Sequence, residues 1–208
     1  VESGWDNIMI RLGSDLALRL PRRSAADPLV LSEQLWLPVL APGLTISVPE
    51  PLRVGIPTTT YPFHWSVLQW LPGEASDVAP PDSSEASRFA QFLHSLHDTK
   101  IETRPPKNPV RDCPLADKKL DTEKRLKLLA SKTTWITPQI TAAWDAALAA
   151  QVDLPVSWIH GDLHSRNVLV LNQKLSAIID WGDMCGGDPA TDLAAIWSLF
   201  EEEHARKS

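Results

Sequence analysis

His160-Gly161-Asp162-Leu163-His164-Ser165-Arg166-Asn167 is the stretch on which the fold turns. It is polar and lies between two short apolar runs of strand length, Val156 to Ile159 and Val168 to Leu171. A third run, Leu175 to Ile179, leads into Asp180-Trp181-Gly182-Asp183. The order is strand, polar loop, strand, turn, strand, acidic residue. Asp162 and Asn167 share one loop and can face one cleft, where Asp180 can meet them after the hairpin. Phosphoryl transfer from a magnesium nucleotide needs such a set. One carboxylate aligns the acceptor hydroxyl and takes its proton, while one or two further oxygen ligands hold magnesium against the phosphates.

The rest of the chain sets bounds on this reading. Its 208 residues are 43% hydrophobic and 22% charged. That is enough for one sizeable core or two small packed lobes, and it excludes wholesale disorder. A net charge of −6 with no basic run speaks against nucleic acid as the main partner. Cys113 and Cys185 fall in no metal-type spacing and read as reduced thiols of a cytoplasmic protein. No apolar run approaches the roughly 20 residues needed to cross a bilayer, and no secretion leader opens the chain. The chain starts at Val1 in a strand-and-turn pattern and ends in a helical pattern without a stop signal, so it reads as part of a longer domain.

Working outward, Asn7 to Leu12 and Leu16 to Leu20 flank Gly13-Ser14-Asp15 and predict a hairpin. Asp27-Pro28 reads as an N-cap followed by proline at the first helical position. The helix it opens places Val30, Leu31, Leu35 and Leu37 near one face and stops around Pro42-Gly43. Extended pieces follow at Leu52 to Ile56 and Trp65 to Leu71. Pro72 to Asp82 has the composition of a connector, so a lobe boundary falls there, giving lobes of residues 1–71 and 72–208. Ser83 or Ser84 opens a helix with Phe89, Phe92, Leu93 and Leu96 on one face. Ala116 to Ala130 predicts a charged amphipathic helix, and Thr137-Pro138 caps another reaching about Ala150. Asp188-Pro189 caps a last helix. Trp36, Trp144 and Trp197 fall on helical apolar faces and are expected in the core, and Trp181 beneath the catalytic loop.

HGDLHSRN followed by IIDWGD resembles the catalytic and metal loops of the aminoglycoside phosphotransferase family, which shares its fold with protein kinases. The resemblance implies an α+β bilobal fold with a small antiparallel-sheet N-lobe and a mainly helical C-lobe. It makes Asp162 the catalytic base and Asn167 and Asp180 the magnesium ligands. His160 braces the loop, Asp183 supports it, and Asp192 of Gly187 to Ala194 ties down its backbone. Gly4 and Asn7, in Ser3 to Asn7, stand where the family has its phosphate-covering turn. Leu16 to Leu20 stands where kinases carry V-A-I-K, with Arg19 in place of lysine. Glu33 is then the ion-pair partner of Arg19. Gln69-Trp70-Leu71 matches the hinge, so Gln69 and Leu71 are expected at the nucleotide base. The likeness runs from about residue 3 to residue 200 and thins between Pro80 and Leu154. It departs from the family in lacking a strand and helix before its start and helices after its end, and in carrying Arg166 where many relatives have glycine.

Blander readings exist for each part. The HxDxH string of His160, Asp162 and His164 is also compatible with a metal-dependent hydrolase. Arg19 alone is a basic edge, Glu33 a surface residue and Gly4 an ordinary turn glycine. Glu201 to Glu203 read as a solvated helix end. Two motifs in the right strand context favour a kinase that uses Mg2+ and ATP or GTP to phosphorylate a hydroxyl-bearing small molecule. A metabolite kinase of the choline, homoserine or fructosamine type, and a non-catalytic nucleotide-binding fragment, are the alternatives.

Overall fold

The computed structural model describes residues 2–101, 105–152 and 154–200; Glu201 to Glu203 lie outside them. The first third of the chain builds a five-stranded antiparallel sheet from β1 (Glu2–Ser3), β2 (Asn7–Leu12), β3 (Leu16–Pro21), β4 (Pro51–Gly55) and β5 (Trp65–Gln69), in the order β1-β2-β3-β5-β4. The helix α1 (Asp27–Leu40) connects β3 to β4. The predicted hairpin is present in register, with Asn7 opposite Pro21 and Leu12 opposite Leu16.

Two details of α1 differ from expectation. Its buried residues are Val30, Glu33, Leu37 and Leu40, whereas Leu35 is 59% exposed. The face is set by what α1 covers, and one of its inward residues is an acid held by a cation. Asp27 does not cap the helix either. A 3-10 turn at Ser24–Ala26 already starts the spiral. The Asp27 carboxylate instead accepts from the backbone N–H of His64 at 2.6 Å and lies 3.0 Å from its Nδ1.

After β5 the connector contains a short strand, β6 (Glu74–Ala75). Then come α2 (Ala86–His97), α3 (Lys119–Lys132), α4 (Pro138–Ala149), β7 (Ser157–Ile159), β8 (Val168–Leu171), β9 (Lys174–Ile178), β10 (Cys185–Gly187), α5 (Ala190–Leu193) and α6 (Ile196–Leu199). β6, β8 and β9 form one small antiparallel sheet, and β7 and β10 another. The turn joining β8 to β9 places Asn172 and Gln173 at positive φ, the conformation of a tight two-residue hairpin. Asp82 rather than a serine caps the turn leading into α2, accepting from the N–H of Ser84 at 2.8 Å.

The core forms where α2 meets the β8–β9 hairpin. Phe89, Phe92, Leu93 and Leu96 recur at helical spacing and pack with Trp158, Val168, Ile178 and Trp181, joined by Leu37 and Leu40 of α1. Phe92 meets Trp181 edge-on at 6.2 Å. Trp36 packs on Trp158 at 5.1 Å, at the edge of this cluster. Trp197, in contrast, is 60% exposed, because the last helical stretch breaks into α5 and α6 and turns its indole outward. α3 and α4 bury no residue, so the amphipathic helix expected at 116–130 forms but packs no apolar face into the core. Segment 44–50 ties the sheet to the second half of the chain, with Ile178 donating its N–H to the Ser47 carbonyl at 2.9 Å.

Candidate active site

The loop 160–167 leaves β7 at Ile159 and returns into β8 at Val168. Its backbone is anchored from below by Asp192, which is fully buried. The carboxylate of Asp192 accepts the N–H of His160 at 2.8 Å and that of Gly161 at 3.0 Å, and His97 Nε2 lies 3.2 Å away. Gly161 has φ +83, and a Cβ there would stand 2.6 Å from the Asp183 carbonyl oxygen, so the turn requires glycine.

His160 is buried with both ring nitrogens engaged. Nε2 donates to the Ile179 carbonyl at 3.0 Å, and Nδ1 accepts the Asp162 N–H at 3.3 Å. Burial pushes its pKa below the ordinary histidine value, against the pull of Asp192. The ring is thus a neutral brace, tilted against the Trp181 ring at 4.7 Å between centroids. This arrangement does not supply the metal site of an HxDxH hydrolase. Among the described residues, no group of three or more His, Cys, Asp or Glu side chains is disposed to hold a metal ion.

Asn167 is buried, and its Nδ2 donates to the Asp162 carbonyl at 2.9 Å, leaving Oδ1 for a ligand. Asp180 follows β9 in the left-handed conformation, φ 63 and ψ 63, with a side chain 56% exposed. Arg19 comes from β3 on the opposite side. Its Nη2 donates to Asp180 Oδ1 at 2.9 Å, and its Nη1 lies 2.8 Å from Glu33 Oε1 on α1. Burial opposes the charge on Arg19, but Glu33 and Asp180 outweigh it and raise the guanidinium pKa. Burial, with help from Asp180, pushes Glu33 up to about 7 against the pull of Arg19.

A cleft of about 630 Å³ opens between the five-stranded sheet and this loop. Gly4, Asn7, Arg19, Gln69, Leu71, Asn167 and Asp180 all line it. Glu33 reaches it only through Arg19, and Asp162 stands beyond its lining, joined through Asn167. Asn7 Oδ1 is buried there with no hydrogen-bond partner among the described residues. Arg166 also lines the cleft and pairs with Asp77 at 3.0 Å. Trp5, at the tip of the Ser3 to Asn7 turn, is 83% exposed at its mouth.

Sequence reasoning missed Arg111 and Asn108. Arg111 forms an ion pair with Asp162 and donates from Nε to Asp183 Oδ2 at 3.0 Å, while Asn108 Nδ2 donates to Asp183 Oδ1 at 2.8 Å. Both sit in a proline-rich loop without periodicity. The only hint in the sequence was Gly186-Gly187, a pair that permits close approach of another segment.

Comparison with known proteins agrees with this geometry. The profile of the phosphotransferase enzyme family (APH) matches residues 1–206. The uncharacterized protein YcbJ of Bacillus subtilis is 28% identical over 93% of this chain, and the viomycin phosphotransferase of Streptomyces vinaceus is 28% identical over 87%. The chain spans 66% of the length of each. The GDP complex of aminoglycoside 2'-phosphotransferase-IIIa superposes with a TM-score of 0.74 at 21% identity, covering 100% of this chain and 73% of that one. The macrolide 2'-phosphotransferase of Brachybacterium faecium gives 0.60 at 22% identity, covering 99% and 76%. The α+β fold expected from the sequence is the fold these structures share.

Proposed function

The chain belongs to the phosphotransferase enzyme family, and on that premise we propose that it transfers the γ-phosphoryl group of ATP or GTP to a hydroxyl of a small molecule of the aminoglycoside or viomycin kind. The observation that carries this reading is the convergence of Asn167, Asp180 and Arg19 on one cleft, with Asp162 bonded to Asn167 behind it.

The residues present suit magnesium. Asp180 offers an exposed carboxylate and Asn167 a side-chain oxygen, both hard oxygen donors beside a cleft large enough for a nucleotide. When bound, the ion would offset phosphate charge as it builds in the transition state. The chain's own residues do the rest. Gly4 and Asn7 cover the phosphates. Arg19, braced by Glu33, presents a guanidinium to phosphate oxygens. Gln69 and Leu71 meet the base, since the Trp70 N–H is already committed to the Asp15 carbonyl at 2.8 Å. Asp162 orients the acceptor hydroxyl and accepts its proton. Catalysis then rests on positioning and electrostatics. Residues 1–71 and 72–208 act as the two lobes that close on the nucleotide. No helix among the described residues is long and apolar enough to cross a membrane, and a cytoplasmic location, where nucleoside triphosphates are supplied, fits this reading.

The test is phosphate transfer to viomycin, kanamycin and gentamicin from Mg-ATP and Mg-GTP, with Asp162→Asn and Asp180→Ala alongside. Asp162→Asn is expected to abolish transfer while keeping nucleotide affinity, and Asp180→Ala to weaken nucleotide binding itself. Near-normal transfer by Asp162→Asn would refute the assignment.

A further inference from the structure

The loop from Pro105 to Asp112 lies directly over the catalytic loop, on a floor of glycines. A Cβ on Gly186 would come within 3.0 Å of Pro105 Cγ, and one on Gly161 within 3.2 Å of Arg111 Cγ. Side chains at these positions would lift the loop away. Asn108, itself buried, fixes the turn. Its Oδ1 accepts the N–H groups of Val110 and Arg111 at 2.9 and 3.1 Å. Its Nδ2 holds Asp183 Oδ1 at 2.8 Å. Arg111 emerges from this turn and forks. Nε and Nη2 grip Asp183 Oδ2 at 3.0 and 2.9 Å, and Nη2 also bonds Oδ1 of Asp162. The other oxygen of Asp162, Oδ2, has His164 Nε2 as a neighbour at 3.6 Å.

We propose that Arg111 is the positioning residue for Asp162, holding Oδ1 so that Oδ2 is presented to the acceptor hydroxyl. The proposal rests on the reading of Asp162 given above. An isolated carboxylate on a loop samples several rotamers, and only some aim an oxygen at the acceptor. A planar guanidinium anchored on a second carboxylate removes that freedom, and lysine does so far less, because its ammonium sits on a flexible stem without the rigid planar fork. Without Arg111, Asp162 and Asp183 also lose the cation they share. Their repulsion then turns Asp162 away. Misplacement of a reacting group by about 1 Å can cost about a hundredfold in rate, and that is the loss expected here.

The experiment measures Mg-ATP hydrolysis, with water as acceptor, in the full chain and in Arg111→Ala, Arg111→Lys, Asp183→Asn and Asp162→Asn. Each variant is checked for folding by thermal unfolding and for Mg-ATP affinity by calorimetry. The expected result is a kcat about a hundredfold lower in Arg111→Ala with Mg-ATP affinity unchanged, because Arg111 does not line the nucleotide cleft. Millimolar guanidinium should restore part of that rate in Arg111→Ala and none in Asp162→Asn. Arg111→Lys should fall almost as far as Arg111→Ala, and if the alanine variant does not fold, the lysine and Asp183→Asn variants carry the same comparison. Wild-type or higher kcat in a folded Arg111 variant, with Asp162→Asn inactive, would overturn the proposal and leave the function standing. Full activity in Asp162→Asn, or none in the wild-type chain, would overturn the functional reading and this proposal with it.

Discussion

Arg19 and Asp180, 161 residues apart in the chain, meet at 2.9 Å. This contact joins the five-stranded sheet to the catalytic half at the point where phosphates are expected. Glu33 backs the guanidinium from α1, so one buried cation is shared by two acids from different parts of the fold.

Removing that cation should be costly. Arg19→Met leaves Glu33 buried without its partner, and breaking a buried pair from one side typically costs about 3 kcal/mol or more. Urea unfolding should show this loss, together with weaker Mg-nucleotide binding. Arg19→Lys should fold better but bind nucleotide poorly, since one ammonium cannot span Glu33 and Asp180 as the fork does. A stable Arg19→Met variant with intact nucleotide affinity would contradict the role given to the pair.

Asp192 is expected to be a stability residue that acts on catalysis indirectly. Asp192→Ala orphans the N–H groups of His160 and Gly161, at about 1 to 3 kcal/mol for each buried donor. Chemical denaturation measures the loss. A variant that is as stable as wild type would show that the catalytic loop is held by something else.

Gly161→Ala should destabilise by about 1 to 3 kcal/mol, because its backbone sits at positive φ and the new Cβ meets the Asp183 carbonyl. Gly43→Ala is the control, since a Cβ there meets nothing within 4 Å. It should be neutral or slightly stabilising. Equal thermal midpoints for the two variants would contradict the strain argument.

The pH dependence has two opposed parts. His160 stays neutral when folded but protonates below about pH 6.5 when unfolded. The unfolded chain then holds the extra proton, so stability present at neutral pH is lost as pH falls below that value. Glu33 works the other way. The native state keeps its proton up to about 7, whereas the unfolded chain releases it near 4.5, so this group weakens the fold as pH rises between those values. His160→Gln should remove the first effect, flattening the stability loss as pH falls below about 6.5. An unchanged profile in that variant would show that His160 is not the group responsible.

The parts of the fold legible in the sequence are those governed by local pattern. The strand-loop-strand order around Asp162, the period of Phe89 to Leu96 and the hairpin at Gly13 all rest on neighbours in the chain. The readings that failed depend on partners far away. Leu35 was placed inside by helical periodicity, but α1 turns Glu33 inward because Arg19 waits there. Asp27 looked like a cap and instead clamps His64. Trp197 was expected in the core and faces outward because the helix carrying it breaks after Leu193. Arg111 was invisible for the same reason. It lies 51 residues before Asp162, in a loop ordered by Asn108 and packed on the glycines beneath it.

The most direct test of the central claim, a magnesium-nucleotide site between the sheet and the catalytic loop, is thermal unfolding with and without Mg-ATP and Mg-GTP, repeated with Asp180→Ala. A nucleotide at about 100 times its Kd adds about 2.7 kcal/mol of stability. The account predicts a magnesium-dependent rise in Tm of the wild-type chain that Asp180→Ala loses. A cooperatively folded wild-type chain whose Tm neither nucleotide moves, or an equal rise in Asp180→Ala, would contradict it.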